Sequence, residues 1–492
     1  MTPARRGGAA LALLVSSCAA ALLAGCAASP AYRAPELALP VAWKIEPPWR
    51  ETAPADAAAK GTWWQRFGDA KLDALEAQAL ADNPSLQIAA ARLAQARAQV
   101  AGVSAALFPQ VGLGARAARL AISANRPLSS YASPNSSTVQ NDYALALSVS
   151  YELDLAGRVS GTIAGARASA EQAEIDLENT RLLLAADLAT AYFNLRGLDA
   201  ELVVLTNSIA LQRRALEFVS ARHELGATSG LDVAQQQALL DNTLTQVDVL
   251  RRQRDPFEHA IATLTGTPAP LFTIAPETRA ADANDAALPS IALGVPSDVL
   301  ERRPDVASAE RAMAAANAQI GVARAAFYPS ILLAPSGGVD SRELASLFNA
   351  PSLLWSLGVS AAQTIFDGGR VRANVDFAAA GYDATRAIYR RTVLNAMQEV
   401  EDGITGLAAL ERASAQAVAA VTSARRVLEM ATSRYEGGAT TYLDVINAQQ
   451  ALLGVERQAT QLASQRRVTS VFLVKALGGE WQRPRERQAR AP

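Results

Sequence analysis

Two aspartates, Asp232 and Asp444, each stand shortly after a Gly-Ala-Thr turn, Gly226-Ala227-Thr228 and Gly438-Ala439-Thr440, in the same register to it. A carboxylate so placed can do two things. It can occupy the first turn of the following helix, favoured by the positive end of the helix dipole, while the glycine caps the helix before. Alternatively, if copies of the chain assemble about an axis, it stands beside its own counterparts. Crowded like charges then attract cations and raise one another's proton affinity. The remaining chemistry-bearing residues point away from catalysis. His223 and His259 are the only histidines, lie far apart, and belong to no Cys/His/Asp cluster with metal-ligand spacing. No nucleophile elbow, phosphate loop, zinc motif or dinucleotide fingerprint occurs, and the adjacent carboxylates Glu401 and Asp402 fall in a helical stretch. No catalytic residue, metal ligand or bound cofactor is expected. A net charge of -1 over 492 residues offers no basic surface to nucleic acid.

The one covalent chemistry indicated is acylation. Residues 1–25 combine Arg5 and Arg6, an apolar stretch from Ala9 to Ala24, and small residues before Cys26, the pattern of a secretory signal. Leu22-Leu23-Ala24-Gly25-Cys26 resembles the bacterial lipobox, which implies S-diacylglycerol and N-palmitoyl groups on Cys26. Cys18 leaves with the signal, so Cys26 has no disulfide partner. Ala27, rather than aspartate, follows the lipidated position, which implies sorting to the outer membrane. Residues 26–60, rich in Pro and Ala, read as a tether, and no apolar run of helix-spanning length follows. If the mature chain meets a membrane, it must do so through strands or through its lipid.

The elements that position these residues come in two copies. Pro84, Gln99 and Pro109 recur at one constant offset as Pro304, Gln319 and Pro329. Gly157, Arg158, Gly226, Asp232, Gln237 and Gly266 recur at a second, slightly shorter one as Gly369, Arg370, Gly438, Asp444, Gln449 and Gly478. The shortening places the extra residues of the first copy in the Ser/Asn/Pro-rich stretch from Asn125 to Asn141. The copies are assigned to 61–280 and 281–480, with a basic tail at 481–492. Each reads as helix, strand, loop, strand, long helix, turn, long helix. Segment 86–106 is Ala-rich and helical until Phe108-Pro109; Val111, Leu113 and Ala115 alternate with small or polar residues, and so, more clearly, do Tyr143, Leu145, Leu147, Val149, Tyr151 and Leu153. The bulky set is expected to face lipid and the small set a watery lumen. In the second copy Pro335 interrupts 330–340 and Gln363 breaks 353–366.

Long helices are expected from Arg158 to about His223 and from Asp232 to Leu264, then from Arg370 to Tyr435 and from Leu443 to Leu477. The first would reach roughly 95 Å. Gln235, Gln236 and Gln237 are expected to meet water, and Pro256 inside the second helix has no functional account. Four strands cannot close a barrel, and an open edge is untenable in lipid, so several chains must share one wall.

The chain resembles the TolC-like outer-membrane factors, in the NodT/OprM-like lipoprotein branch. The matching residues are Trp63 to Asp69 ahead of Asn83-Pro84, Leu153 to Arg158, Gly294 to Asp305, Phe366 to Arg370, and Arg434 to Gly438 through Leu443-Asp444-Val445. The resemblance implies a mainly α fold with a small β part: a periplasmic helical barrel, and a trimeric twelve-stranded transmembrane barrel to which each chain gives four strands. It implies a homotrimer docked to a periplasmic adaptor and an inner-membrane RND-type pump, passing drugs or other small molecules across the outer membrane. A type I secretion outlet and a non-porous coiled-coil scaffold are the alternatives.

The resemblance also implies a periplasmic aspartate ring at Asp444; a second family aspartate corresponds to Asn447, which lightens the ring's charge. Tyr435 and Asp232 match the closed-state latch, and Thr440 stands where the family has a latch arginine. The turns holding Gly226, Thr228, Gly438 and Thr440 are the expected adaptor contacts, although positive φ alone would also explain their glycines. Trp63, Trp64 and Phe67 read as a staple for the N-terminal segment, with a carbohydrate platform as the alternative.

Overall fold

The computed structural model describes residues 32–33, 40, 42–44, 62–123, 138–277, 302–479 and 481. The signal, Cys26, most of the tether, loop residues 124–137, the first part of the 294–305 motif and the tail beyond Trp481 lie outside the described residues.

Helix α1 (Ala70–Asp82) is N-capped by Asp69, whose carboxylate accepts from Lys71 N at 2.9 Å and Leu72 N at 3.2 Å. Then follow α2 (Pro84–Ser104), β1 (Gln110–Ile122), β2 (Thr138–Leu153), α3 (Arg158–Glu224) and α4 (Gly230–Leu264). The second copy supplies α5 (Pro304–Ala325), β3 (Ser330–Leu333), β4 (Ser336–Ser341), β5 (Leu353–Ser356), β6 (Val359–Ala362), α6 (Arg370–Glu436) and α7 (Tyr442–Ala476). The repeat holds to the residue: α3 and α6 have 67 residues each, α4 and α7 35 each.

The two copies also end their long helix pairs alike. Asn83 Nδ2 donates to Leu264 O at 2.8 Å; in the second copy Arg303, at the position equivalent to Asn83, donates from Nη1 to Ala476 O, the equivalent of Leu264, also at 2.8 Å. Each satisfies a carbonyl that the helix end leaves without an intrahelical donor. Gly266 and Gly478 have φ of 71° and 89°. A Cβ on Gly266 would lie 2.8 Å from Asp82 O, and one on Gly478 would collide with Arg302 O. Buried Arg303 is clamped further by Asp305, through Nε at 3.0 Å and Nη2 at 2.7 Å, and by Glu399 at 2.8 Å.

In the sheet β1 pairs antiparallel with β2 from Gln110↔Ser150 to Ile122↔Thr138. On its other edge β2 pairs with β4 (Tyr143↔Ser341 to Ser148↔Ser336) and β3 (Tyr151↔Leu333 to Leu153↔Ile331) in a single register, and β4 and β3 pair likewise with β5 and β6. The six segments are therefore four strands, two of them interrupted. The break at Pro335 falls as expected, since proline has no N–H for the ladder; its carbonyl still accepts from Val149 N at 2.9 Å. In the fourth strand the interruption lies at Leu357-Gly358 and not at Gln363. The reason is pairing: Gly358 stands across from the proline break and accepts from Ala334 N at 2.9 Å. Gln363 follows the strand end and donates from Nε2 to Phe327 O at 3.1 Å.

This register sorts the side chains into two faces. One carries Val111, Leu113, Tyr143, Leu145, Leu147, Val149, Tyr151, Val339, Leu353 and Trp355; the other carries Gly112, Gly114, Ala144, Ala146, Ser148, Ser150, Ser336 and Gly338. The apolar face is uncovered: Leu113 is 71% exposed and Trp355 72%. Among the described residues, β1 and the β5–β6 strand each have one edge without a strand partner.

The chain forms two compact units, and each draws on both copies. One holds 93–172 and 309–388 with the sheet. Within it a Cβ on Gly165 would sit 3.5 Å from Ala318 Cβ, and Tyr32 OH reaches Glu310 O at 3.3 Å. The other holds 36–92, 173–308 and 389–492. There Trp63 and Trp64 are buried and Phe67 stacks 4.9 Å from Phe193, so these aromatics staple the N-terminal turn to α3 and leave no open platform. Lys44 N donates to Glu401 Oε1 at 2.9 Å, which gives that carboxylate a structural task. Pro256 lies within the continuous α4 and lines a cleft of about 560 Å³ with Gly197, Glu201, Gln461 and Ser464.

Candidate functional site

The sequence-selected aspartates lie at two turns built by one recipe. After α3, Gly226 takes φ 74°, its N–H bonds His223 O at 2.9 Å, and Ala227 N bonds Arg222 O at 2.8 Å. After α6, Gly438 takes φ 73°, with Gly438 N to Tyr435 O at 3.0 Å and Ala439 N to Arg434 O at 2.8 Å. Both are Schellman caps, so positive φ accounts for each glycine. Nothing lies within 4 Å of a Cβ added to either one, and both are exposed.

Past the turns the two copies diverge. Ser229 caps α4 with a capping box in which Asp232 is the reciprocal partner, and Asp232 also accepts from Thr228 Oγ1. Because that hydroxyl gives its proton to Asp232, the 3.1 Å contact between Thr228 Oγ1 and Tyr435 OH is donated by the tyrosine. Tyr435 and Asp232 are thus joined through Thr228, not directly. His223 Nδ1, 3.0 Å from Thr228 O, steadies the same turn. Tyr435 is buried, with the Arg222 guanidinium 5.1 Å from its ring centroid and the Tyr442 ring 4.9 Å away.

Asp444, by contrast, is exposed. Hydroxyls of Thr440 and Thr441, the latter at 3.3 Å, donate to its Oδ2, and chiefly the Thr440 bond holds its pKa below the usual carboxylate value. It is ionised at neutral pH. Asn447, one turn later and also exposed, presents an amide on the same helix face.

Sequence reasoning misplaced one residue here and missed others. Gln236 does not meet water: it is fully buried, accepts from Tyr442 OH at 2.8 Å, and donates to Gln212 O at 3.1 Å and Gln449 Oε1 at 3.4 Å. It therefore fastens α4 to α3 and α7 just behind the turns, within a core of Val219, Leu239, Tyr435, Tyr442, Val445 and Ile446. Of its neighbours, Gln235 is half-buried and Gln237 is exposed. Also unforeseen were the open leucines of the first turn, Leu225 at 83% and Leu231 at 63% exposure. Glu76 was missed as well. It is fully buried on α1 with neither carboxyl oxygen partnered, and burial, followed by the nearby Asp73 charge, pushes its pKa up to about 9. Its signal was the stripe Leu72, Leu75, Ala79, onto which position 76 falls. Among the described residues no group of His, Cys, Asp or Glu could hold a metal, and no helix is long and apolar enough to cross a membrane.

A two-faced antiparallel sheet joined to paired long helices ending in capped turns is the build of a membrane channel subunit. The sequence model of the outer membrane efflux protein family matches residues 75–267 and 295–479, and the chain belongs to that family. It is 31% identical over 477 residues to the pyoverdine export outer membrane protein OpmQ of Pseudomonas aeruginosa, covering 97% of this chain and 98% of the relative. It is 28% identical to the cation efflux system protein CusC of Escherichia coli O6:H1, covering 95% and 99%. Its fold matches the solved outer-membrane channel OprN with a TM-score of 0.83 at 29% identity, over 93% of this chain and 100% of the other. The protein is an outer-membrane channel subunit of an efflux system, with the TolC-like fold and the sheet as its membrane-spanning part.

Proposed function

We propose that three copies close a twelve-stranded barrel, dock on a periplasmic adaptor and an RND-type inner-membrane pump, and pass small molecules without doing chemistry on them. The observation that carries this reading is the pair of unpartnered strand edges on a sheet whose one face is apolar and open. In lipid those edges require partner strands, and only further copies supply them without leaving another edge. Twelve is an even strand number within the range of bacterial barrels.

The relatives named for pyoverdine export and cation efflux support small solutes as the cargo class, with the choice of solute left to the pump. In this reading Asp444 forms a ring of three carboxylates at the periplasmic entrance, with Asn447 behind it. The Tyr435–Thr228–Asp232 chain of hydrogen bonds latches the two hairpins. The Gly226, Thr228, Gly438 and Thr440 turns, with exposed Leu225 and Leu231 beside them, meet the adaptor. Diacylglycerol and palmitoyl groups on Cys26 hold the N-terminus to the membrane.

Reconstitution tests the proposal. The purified full chain is expected to run as a heat-labile trimer in detergent and to give unitary conductance steps in planar bilayers. A monomer that produces no conductance would overturn it.

A further inference from the structure

The apolar face of the sheet carries one charge that its surroundings do not explain. Arg119 of β1 pairs in register with Asn141 of β2, on the same face as Ala117, Tyr143, Leu113 and Leu147. Its guanidinium is exposed and, among the described residues, makes no hydrogen bond or ion pair. The contrast is Arg116, on the opposite, small-residue face of the same strand, which is bonded to Asp142. A lumenal arginine is thus given a carboxylate within the chain, and the arginine on the lipid face is not. Nor does the strand expected beside β1 in a closed wall offer one, since Leu353–Ser356 and Val359–Ala362 contain no acidic residue.

The height of Arg119 decides what it meets. The long helices that flank strands, α2, α3, α5 and α6, all join the sheet at the Gln110 and Leu153 end, so Ile122 and Thr138 mark the far, outer end. The apolar rows run from Leu153↔Ile331 up to Ala117↔Tyr143. The ten steps from Tyr143 to Leu153 at roughly 3.3 Å each, tilted by about 45°, give a band about 23 Å tall, close to the roughly 25 Å expected of a barrel's lipid-facing belt. Tyr143 and Tyr151 sit near its two borders, where amphipathic rings belong. Arg119 and Asn141 form the next row outward on this face, at the depth of the outer-leaflet headgroups. A permanently charged guanidinium there, with no carboxylate bonded to it among the described residues and next to an amide, is matched by a phosphate, which its planar fork of N–H donors fits.

We propose that Arg119, assisted by Asn141, binds the phosphate of a phosphorylated lipid in the outer leaflet. The proposal rests on the reading of the sheet as the wall of a membrane-spanning barrel. Wild-type, Arg119→Gln and Arg119→Lys full chains are placed in nanodiscs of phosphatidylcholine alone and of phosphatidylcholine carrying diphosphoryl lipid A, and the heat dissociation of the oligomer is followed. Wild type is expected to gain thermal stability with lipid A, and the gain to fade at high salt. Arg119→Gln is expected to lose at least half of the gain, and Arg119→Lys, which keeps the charge but not the fork, to fall between Arg119→Gln and wild type. Inorganic phosphate added to the phosphatidylcholine discs is expected to give none. Equal gains in wild type and Arg119→Gln, or a gain from inorganic phosphate, would overturn the lipid site. Conductance of both proteins in phosphatidylcholine separates the two readings: if neither inserts, the barrel itself fails, and if both insert, only the lipid site is in question.

Discussion

Asp444 and Asp232 began as equivalent positions, and their environments give them different work. Asp232 is half-buried and committed to a capping box and to Thr228, whereas Asp444 is exposed and ionised, held by the hydroxyls and backbone of its own turn. Substituting Asp444→Asn should therefore leave the fold intact while weakening cation preference and divalent block in single-channel recording; unchanged selectivity would remove the carboxylate from the entrance. Glu76 is the reverse case, a residue without a visible task and with a clear energetic consequence. Its folded pKa of about 9 lies above the unfolded value of a glutamate, so the folded chain binds the extra proton. The stability linked to it is full below the unfolded pKa and declines as pH rises towards 9, by up to about 1.4 kcal/mol per unit. Glu76→Gln should flatten the fall of melting temperature between pH 6 and pH 9, and parallel curves for the two proteins would show the carboxyl is ionised at no cost. Spacing made both aspartates legible in the sequence. It could not reveal Thr228 as the link between Asp232 and Tyr435, because that link depends on two hairpins lying side by side.

The helices were legible because their punctuation is local: proline at the starts of α2 and α5, glycine past the ends of α3 and α6. The interrupted strands were harder to place, since Pro335 marks its own break but the break opposite, at Gly358, is set by pairing. Gln236 shows the same limit, because a run of three glutamines does not say which one faces the core. The two kinds of glycine separate by experiment. Gly438→Ala meets empty space and bears only the cost of left-handed backbone, about 1–2 kcal/mol. Gly478→Ala adds to that cost a collision with Arg302 O, beside the Arg303 clamp on Ala476. The temperature at which the oligomer dissociates should fall further for Gly478→Ala than for Gly438→Ala; the opposite order would mean the end of α7 yields more readily than its packing indicates.

At the scale of the whole molecule, the sheet makes sense only if its two faces meet different solvents, and neighbouring residues of one strand can test that. Leu147 and Ser148 are both exposed and adjacent in β2, and they lie on opposite faces by the register with β1 and β4. A soluble sheet buried on one side would have covered Leu147, which is instead 46% exposed. Leu147→Lys places a charge within the apolar belt at a cost of about 2–4 kcal/mol near the midplane, repeated in every chain of the ring. It should abolish insertion into lipid vesicles or sharply reduce it, as read by flotation of the oligomer with the vesicles. Ser148→Lys carries the same charge one position along but faces the lumen. It should insert normally and shift ion selectivity towards anions in planar bilayers. If Ser148→Lys blocked insertion and Leu147→Lys did not, the faces would be inverted; if neither had an effect, the sheet would not stand in the membrane at all.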